Sequence, residues 1–134
     1  MATALVEDDE DLRRRVRLHR ERKPGGWGTL EIGDLAEVPT PTTRWDAVLL
    51  DSLTLWLSAR EEEQALAAFD RFLAQAGEPT VPFVLVSDEV GLGVVPETEA
   101  GRRFRDALGL VNQKAAAAAE EVHLCVAGVA IRIK

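Results

Sequence analysis

From Arg13 to Trp27 the chain reads RRRVRLHRERKPGGW, a histidine set among cations on a protein whose formal net charge is −7. Seven of the 16 Lys and Arg residues fall within 13–23. His19, flanked by Arg20, Arg22 and Lys23, suits nucleophilic chemistry on a polyphosphate. The cations would hold the phosphates and stabilise charge developing at the α-phosphorus and the leaving group. They would also lower the proton affinity of the imidazole, which keeps it neutral and nucleophilic. The competing reading is a solvated basic face with one satisfied histidine on a helix stripe. Spacing alone favours that plainer reading, because the pattern fixes no partner.

Two acidic positions close apolar runs. Val48-Leu49-Leu50-Asp51 ends on a carboxylate, the physical form of a Walker B strand, in which the acid holds or positions Mg²⁺ directly or through water. A strand also ends in Asp simply for capping or solubility, and both readings stand. The second run leads into Ser87-Asp88-Glu89-Val90-Gly91-Leu92-Gly93, an acidic, Gly-rich turn before Pro96 and Glu97. Polar groups and free N–H groups at the carboxyl edge of a sheet are where open α/β folds bind ligands. Glu89 is the site candidate of this turn. Arg102, Arg105, Asp106 and Asn112 read from their types as an exposed helix face with local ion pairs.

The elements that position these residues alternate between short apolar runs and helical patterns, the mark of a parallel α/β sheet. Candidate strands are 47–51, 82–87, 122–127 and 129–134, with a possible further one at 2–6. The last two flank Gly128 and read as a tight antiparallel pair. Three helical patterns stand between them. Leu12, Val16 and His19 share one face of the first. The second carries Leu66, Phe69, Leu73 and Ala76, preceded by Leu53, Trp56 and Leu57, with Trp56 read as core or interface. The third carries Phe104, Ala107, Leu108, Val111, Ala115 and Ala118, its start marked by Pro96 and Glu97. Residues 33–44 read as an irregular connection. Residues 61–76 fit an interface or a packed helix.

A chain of 134 residues with 46% apolar content suits one compact domain, 1–134, with a single core. Net negative charge argues against a general nucleic-acid binder, although residues 13–23 keep that option open as a distant one. The single cysteine, Cys125, permits no intramolecular disulfide and reads as a buried structural residue in a reduced, cytoplasmic setting. Glu7, Asp8, Asp9 and Glu10 argue against a signal peptide. No apolar run approaches the roughly 20 residues of a membrane helix.

The segments quoted above resemble one family, adenosylcobinamide kinase / adenosylcobinamide-phosphate guanylyltransferase (CobU/CobP). Its motif R-I-x-x-H-R-x-x-R-P-x-x-W-x-T-x-E is matched by Arg15, Val16, His19, Arg20, Lys23, Pro24, Trp27, Thr29 and Glu31, with Lys23 where Arg is usual. Its L-L-D-C-L-T-L-W segment is matched from Leu49 to Trp56, with Ser52 for Cys. Its V-[ST]-N-E-V-G-x-G-I-V-P-E segment is matched from Val86 to Glu97, with Asp88 for Asn. The resemblance implies that His19 becomes guanylylated. It implies a nucleotide pocket drawn from Ala2, Thr3, Ala4, Arg20, Glu21, Arg22, Lys23, Glu31, Asp51 and Glu89, with Asp51 toward Mg²⁺. For Arg102, Arg105, Asp106 and Asn112 it implies a structural or pocket role, on an equal footing with the exposed face. The implied fold is P-loop NTPase-like (RecA-like), a mostly parallel sheet with flanking helices, lacking its N-terminal βα unit and ending in an antiparallel strand pair.

The implied activity transfers GMP from GTP through that histidine to adenosylcobinamide phosphate. The family also phosphorylates adenosylcobinamide with ATP or GTP, and it assembles as trimers. Family members open with a phosphate loop of the form G-G-x-x-S-G-K-S, and no G-x-x-x-x-G-K-[ST] occurs in these 134 residues. The resemblance is therefore expected to span roughly the last three-quarters of a family protein. Kinase turnover by these residues alone is expected to be poor, since the loop and its lysine neutralise phosphate charge. The alternative function is a catalytically inactive relative serving as an assembly or weak nucleotide-binding module.

Overall fold

The computed structural model describes residues 10–38, 45–76 and 81–134, apart from the side chains of Leu12, Arg15 and His19. The expected strand at 2–6, with Ala2, Thr3 and Ala4, lies outside the described residues. In chain order the elements are α1 (Glu10–Arg22), β1 (Val48–Asp51), α2 (Leu53–Ser58), α3 (Glu62–Ala76), β2 (Phe83–Val86), α4 (Glu99–Ala118), β3 (His123–Val126) and β4 (Val129–Arg132). Short 3-10 turns occupy Leu35–Glu37 and Val90–Leu92. The fold is mixed α/β.

β1 and β2 pair in parallel, Val48 opposite Phe83 and Asp51 opposite Val86. Parallel neighbours require a crossover, which α2 and α3 supply. The apolar pattern that suggests one helical element over 53–76 is in fact two helices, parted at Ala59–Glu61. Ser52 caps α2, its hydroxyl accepting from Leu55 N at 3.3 Å. Serine serves this position better than the cysteine of the family pattern, because a hydroxyl oxygen is a strong acceptor and a sulfur a weak one. The peptide between Asp51 and Ser52 is cis.

Helix α4 begins later than Pro96 and Glu97 suggest. Thr98 is its N-cap, accepting from Gly101 N at 3.1 Å, and Glu99 is its first residue. Pro96 packs under the first turn instead. A Cβ at position 101 would meet the Pro96 Cβ at 2.8 Å, so only glycine fits there. The irregular stretch after Gly33 contains a capping box: Asp34 Oδ1 accepts from Ala36 N, and Glu37 Oε1 accepts from Asp34 N, both at 2.9 Å.

The core joins Ile32 and Leu35, Leu50, Leu53, Trp56 and Leu57, Ala65, Phe69 and Phe72, and Ala107, Leu108 and Val111. Trp56 is fully buried, as the core reading of that residue expects. A chain of aromatic contacts runs Trp56–Phe69–Phe72–Phe83, with centroids 6.3, 5.9 and 5.8 Å apart. The buried stripe of α3 is Ala65, Phe69 and Phe72; Leu66 and Leu73 pack at its margin, so the face is turned slightly from the expected one. In α4 the stripe ends before Ala118, which is exposed.

β3 and β4 form the expected antiparallel hairpin, Val126 opposite Val129. Ala127 and Gly128 have φ of 51° and 79°, and a tight turn with two such residues matches the twist of its strands. This hairpin is a sheet of its own, so among the described residues the strands form two pairs, one parallel and one antiparallel, rather than one mostly parallel sheet. Its apolar residues stay open: Val126, Val129, Ile131 and Ile133 are each at least half exposed. Cys125 is exposed for the same reason, against the expectation of a buried structural thiol. Among the described residues no helix is long and apolar enough to cross a membrane.

Candidate functional site

Helix α1 carries His19 in its second half, one residue before Arg20. After the helix, Lys23 N donates to Arg20 O and Trp27 N to Pro24 O, both at 3.4 Å, and Gly26 takes φ of 92°. That turn reverses the chain, and the segment from Gly28 to Gly33 runs back beside α1. Two contacts tie them: Arg20 Nη2 pairs with Glu31 Oε1, and Lys23 Nζ donates to Thr29 Oγ1 at 2.9 Å. An open groove results, lined by Arg13, Val16, Arg17, Arg20, Glu21 and Glu31. None of the described α1 residues belongs to the buried core. The groove is cationic along one wall and carboxylate-bearing on the other, an arrangement that concentrates an anion while leaving an acceptor for a polar edge.

A second group of polar residues collects at the carboxyl rim of the parallel pair. Asp51 ends β1, half-buried. Ser87 Oγ donates to Asn112 Oδ1 at 2.6 Å, and Asn112 Nδ2 donates to Asp88 O at 3.1 Å. Asp88 N donates to Thr54 Oγ1 at 2.9 Å. Thus α2, the β2 end and α4 are joined around one edge. Asp88 makes these bonds through its backbone, so Asp for Asn at this position leaves them intact. The Glu89 carboxylate accepts from Gly91 N at 2.9 Å and caps the turn Val90–Leu92. Arg102 donates to Pro96 O at 3.0 Å and Glu97 O at 2.7 Å, closing the loop onto α4.

Of the candidate residues, then, Arg20, Glu21 and Glu31 share one groove, with Lys23 just beyond it and Arg22 exposed. Asp51 and Glu89 belong to the rim and do not line that groove. Asn112 serves as a bridge between elements, while Arg105 pairs with its neighbour Asp106 at 2.9 Å. Among the described residues no three His, Cys, Asp or Glu side chains cluster as a metal site. One carboxylate at a strand end is what a Mg²⁺ delivered on nucleotide phosphates requires, because that ion keeps several waters and phosphate oxygens as ligands. The donor set fits that role and not a protein-enclosed cage.

Sequence reasoning passed over Thr54 and Arg60. Thr54 sits three residues after Asp51, and its signal was a polar residue in the first turn of a mostly apolar helix. Arg60 follows α2, where its Nη1 donates to Trp56 O at 2.7 Å, its Nη2 donates to Gly33 O, and its guanidinium carbon lies 4.9 Å from the Trp56 ring centroid. No motif marks it.

The model of the cobinamide kinase / cobinamide phosphate guanyltransferase family matches residues 1–133. The chain belongs to this family. Within it, the bifunctional adenosylcobalamin biosynthesis protein CobU of Salmonella typhimurium is 33% identical over 153 residues, covering all of this chain and 84% of that protein. The corresponding protein of Escherichia coli is 32% identical over 155 residues, with the same shares covered. CobP of Pseudomonas aeruginosa is 37% identical over 140 residues, covering all of this chain and 80% of that protein. The family likeness therefore extends over somewhat more of a relative than the three-quarters expected.

Proposed function

We propose that this chain is a nucleotide-dependent transferase of cobalamin biosynthesis, passing GMP from GTP through His19 to adenosylcobinamide phosphate. The observation that carries the reading is the groove on the His19-bearing helix, with Arg13, Arg17 and Arg20 facing Glu31 on a protein of net charge −7. An imidazole nitrogen of His19 attacks the α-phosphorus of GTP. A P–N bond forms, the bond to the bridging oxygen breaks, and pyrophosphate leaves. A phosphate oxygen of adenosylcobinamide phosphate then attacks the same phosphorus, the P–N bond breaks, and adenosylcobinamide-GDP and free His19 result.

Arg20, Arg22 and Lys23 neutralise the triphosphate as negative charge shifts to the leaving group. Glu31 accepts from the nucleotide or holds Arg20 for it. Glu21, Ala2, Thr3, Ala4, Asp51 and Glu89 complete the proposed nucleotide-binding set, with Asp51 toward Mg²⁺. That ion, when bound, would neutralise phosphate charge. We further propose a P-loop NTPase-like single domain acting in the cytoplasm as a homo-oligomer, trimeric as the resemblance implies. The family's other reaction, phosphorylation of adenosylcobinamide by ATP or GTP, is assigned to these residues only weakly.

That weakness supports a second reading. These 134 residues contain no G-x-x-x-x-G-K-[ST], so the backbone cradle and lysine for the β- and γ-phosphates are not among them. A module that binds nucleotide without turning it over would follow. Incubation with α-labelled GTP and Mg²⁺ separates the two. An acid-labile, alkali-stable label on His19, lost in His19→Ala, establishes the transferase; saturable GTP binding with no label establishes the module.

A further inference from the structure

The helix that bears His19 contributes none of its described residues to the core, and the short strap beside it has its own anchor. Thr29 and Glu31 face α1 through Lys23 and Arg20. The next residue, Ile32, turns inward and is 5% exposed. Beyond it the Gly33 carbonyl accepts from Arg60. Arg60 is half-buried and uses its other arm on Trp56 O, a last-turn carbonyl of α2, while its guanidinium carbon lies over the ring of the fully buried Trp56. A cation there satisfies a carbonyl that the helix end leaves without a partner and complements the helix dipole. One rigid fork thus grips two carbonyls on two elements, which an ammonium on a flexible stem does not do.

We infer that Arg60 is a positioning residue for the guanylylation site, fixing the strap that holds Glu31 and, through the Arg20 pair, setting the helix that carries His19. This rests on the transferase reading for its functional consequence but not for its geometry. The chain of contacts runs from Trp56 through Arg60 and Gly33 to Glu31, then to Arg20 and α1. Ile32, Leu35 and the Asp34–Glu37 capping box still tether the strap when Arg60 is replaced, so its loss loosens residues 28–33 without unfolding the core.

Two variants test this, Arg60→Met and Arg60→Lys. Trp27, at the entry to the strap, and Leu30 within it are exposed chymotrypsin sites, whereas Phe69 and Phe72 lie in the core. Well below the unfolding temperature, Arg60→Met should raise cleavage after Trp27 and Leu30 about tenfold, as loss of charge-assisted hydrogen bonds opens the strap. Cleavage after Phe69 and Phe72 should stay at the wild-type rate, and Arg60→Lys should fall between. In the same proteins, the efficiency of His19 labelling by GTP should drop about tenfold in Arg60→Met and recover in part in Arg60→Lys, as expected of a displaced reacting group.

Unchanged strap cleavage, or cleavage rising equally at the core sites, overturns the inference. So does full labelling efficiency in Arg60→Met. If wild-type protein takes no label while the strap responds as described, the transferase reading fails and the anchoring role of Arg60 stands.

Discussion

At the level of single residues, the Arg20–Glu31 pair separates stability from function. Both side chains are more than half exposed, 57% and 61%, and a solvent-facing ion pair contributes about 0–1 kcal/mol. Glu31→Gln should therefore shift the urea midpoint by little, an effect on stability of at most about 0.5–1 kcal/mol. Its effect on His19 labelling should be larger, roughly tenfold, because the lost carboxylate frees Arg20 from its orientation. A stability loss with labelling unchanged would assign the pair a purely structural role. Arg20 and Glu31 were both legible as motif residues. Their pairing was not, because it depends on a reversal at Pro24–Trp27 that needs Gly26 at positive φ. Arg60 was invisible for a different reason: its partners are the backbone carbonyls of Gly33 and Trp56, which carry no side-chain signature.

Among elements, the decisive joints are polar and short. Asn112 ties α4 to the end of β2, through Ser87 Oγ and the Asp88 carbonyl. Asn112→Ala removes both bonds from a half-buried place and should cost about 1–3 kcal/mol by urea denaturation. Asn112→Asp keeps the acceptor for Ser87 but sets a carboxylate against the Asp88 carbonyl, so it should not restore stability. Thr98→Ala deletes the N-cap of α4 and should cost about 1 kcal/mol, whereas Thr98→Ser should be near neutral. The four strands were legible because each is an apolar run of strand length, and the hairpin because Gly128 punctuates it. Helix limits were less so. Pro96 and Glu97 look like a start, but Thr98 has the hydroxyl that reaches Gly101 N, and capping geometry decides.

Across the whole molecule, burial is uneven, and this decides where substitutions are felt. Among the described residues the core is concentrated in α2, α3, α4, β1 and residues 32–35, while those of α1 and the β3–β4 hairpin lie largely outside it. Val84 is 46% exposed in a parallel strand, a position that α/β folds usually cover on both faces. Which strands would form was written in local pattern, but how the pairs would associate was not, since pairing between strands far apart in sequence has no local signal. Leu108 is fully buried against this core, and Leu108→Ala should cost about 2–5 kcal/mol. Set against a typical total of about 5–15 kcal/mol, that is a large fraction and should lower the melting temperature sharply. Ile131 is half exposed, and Ile131→Thr, which keeps β-branching, should change stability by no more than about 0.5 kcal/mol in these 134 residues. Thermal unfolding of the two variants side by side measures the contrast. Equal losses would mean that the hairpin is covered in solution, and a loss for Ile131→Thr that grew with protein concentration would identify the cover as a second copy of the chain, because association stabilises by mass action.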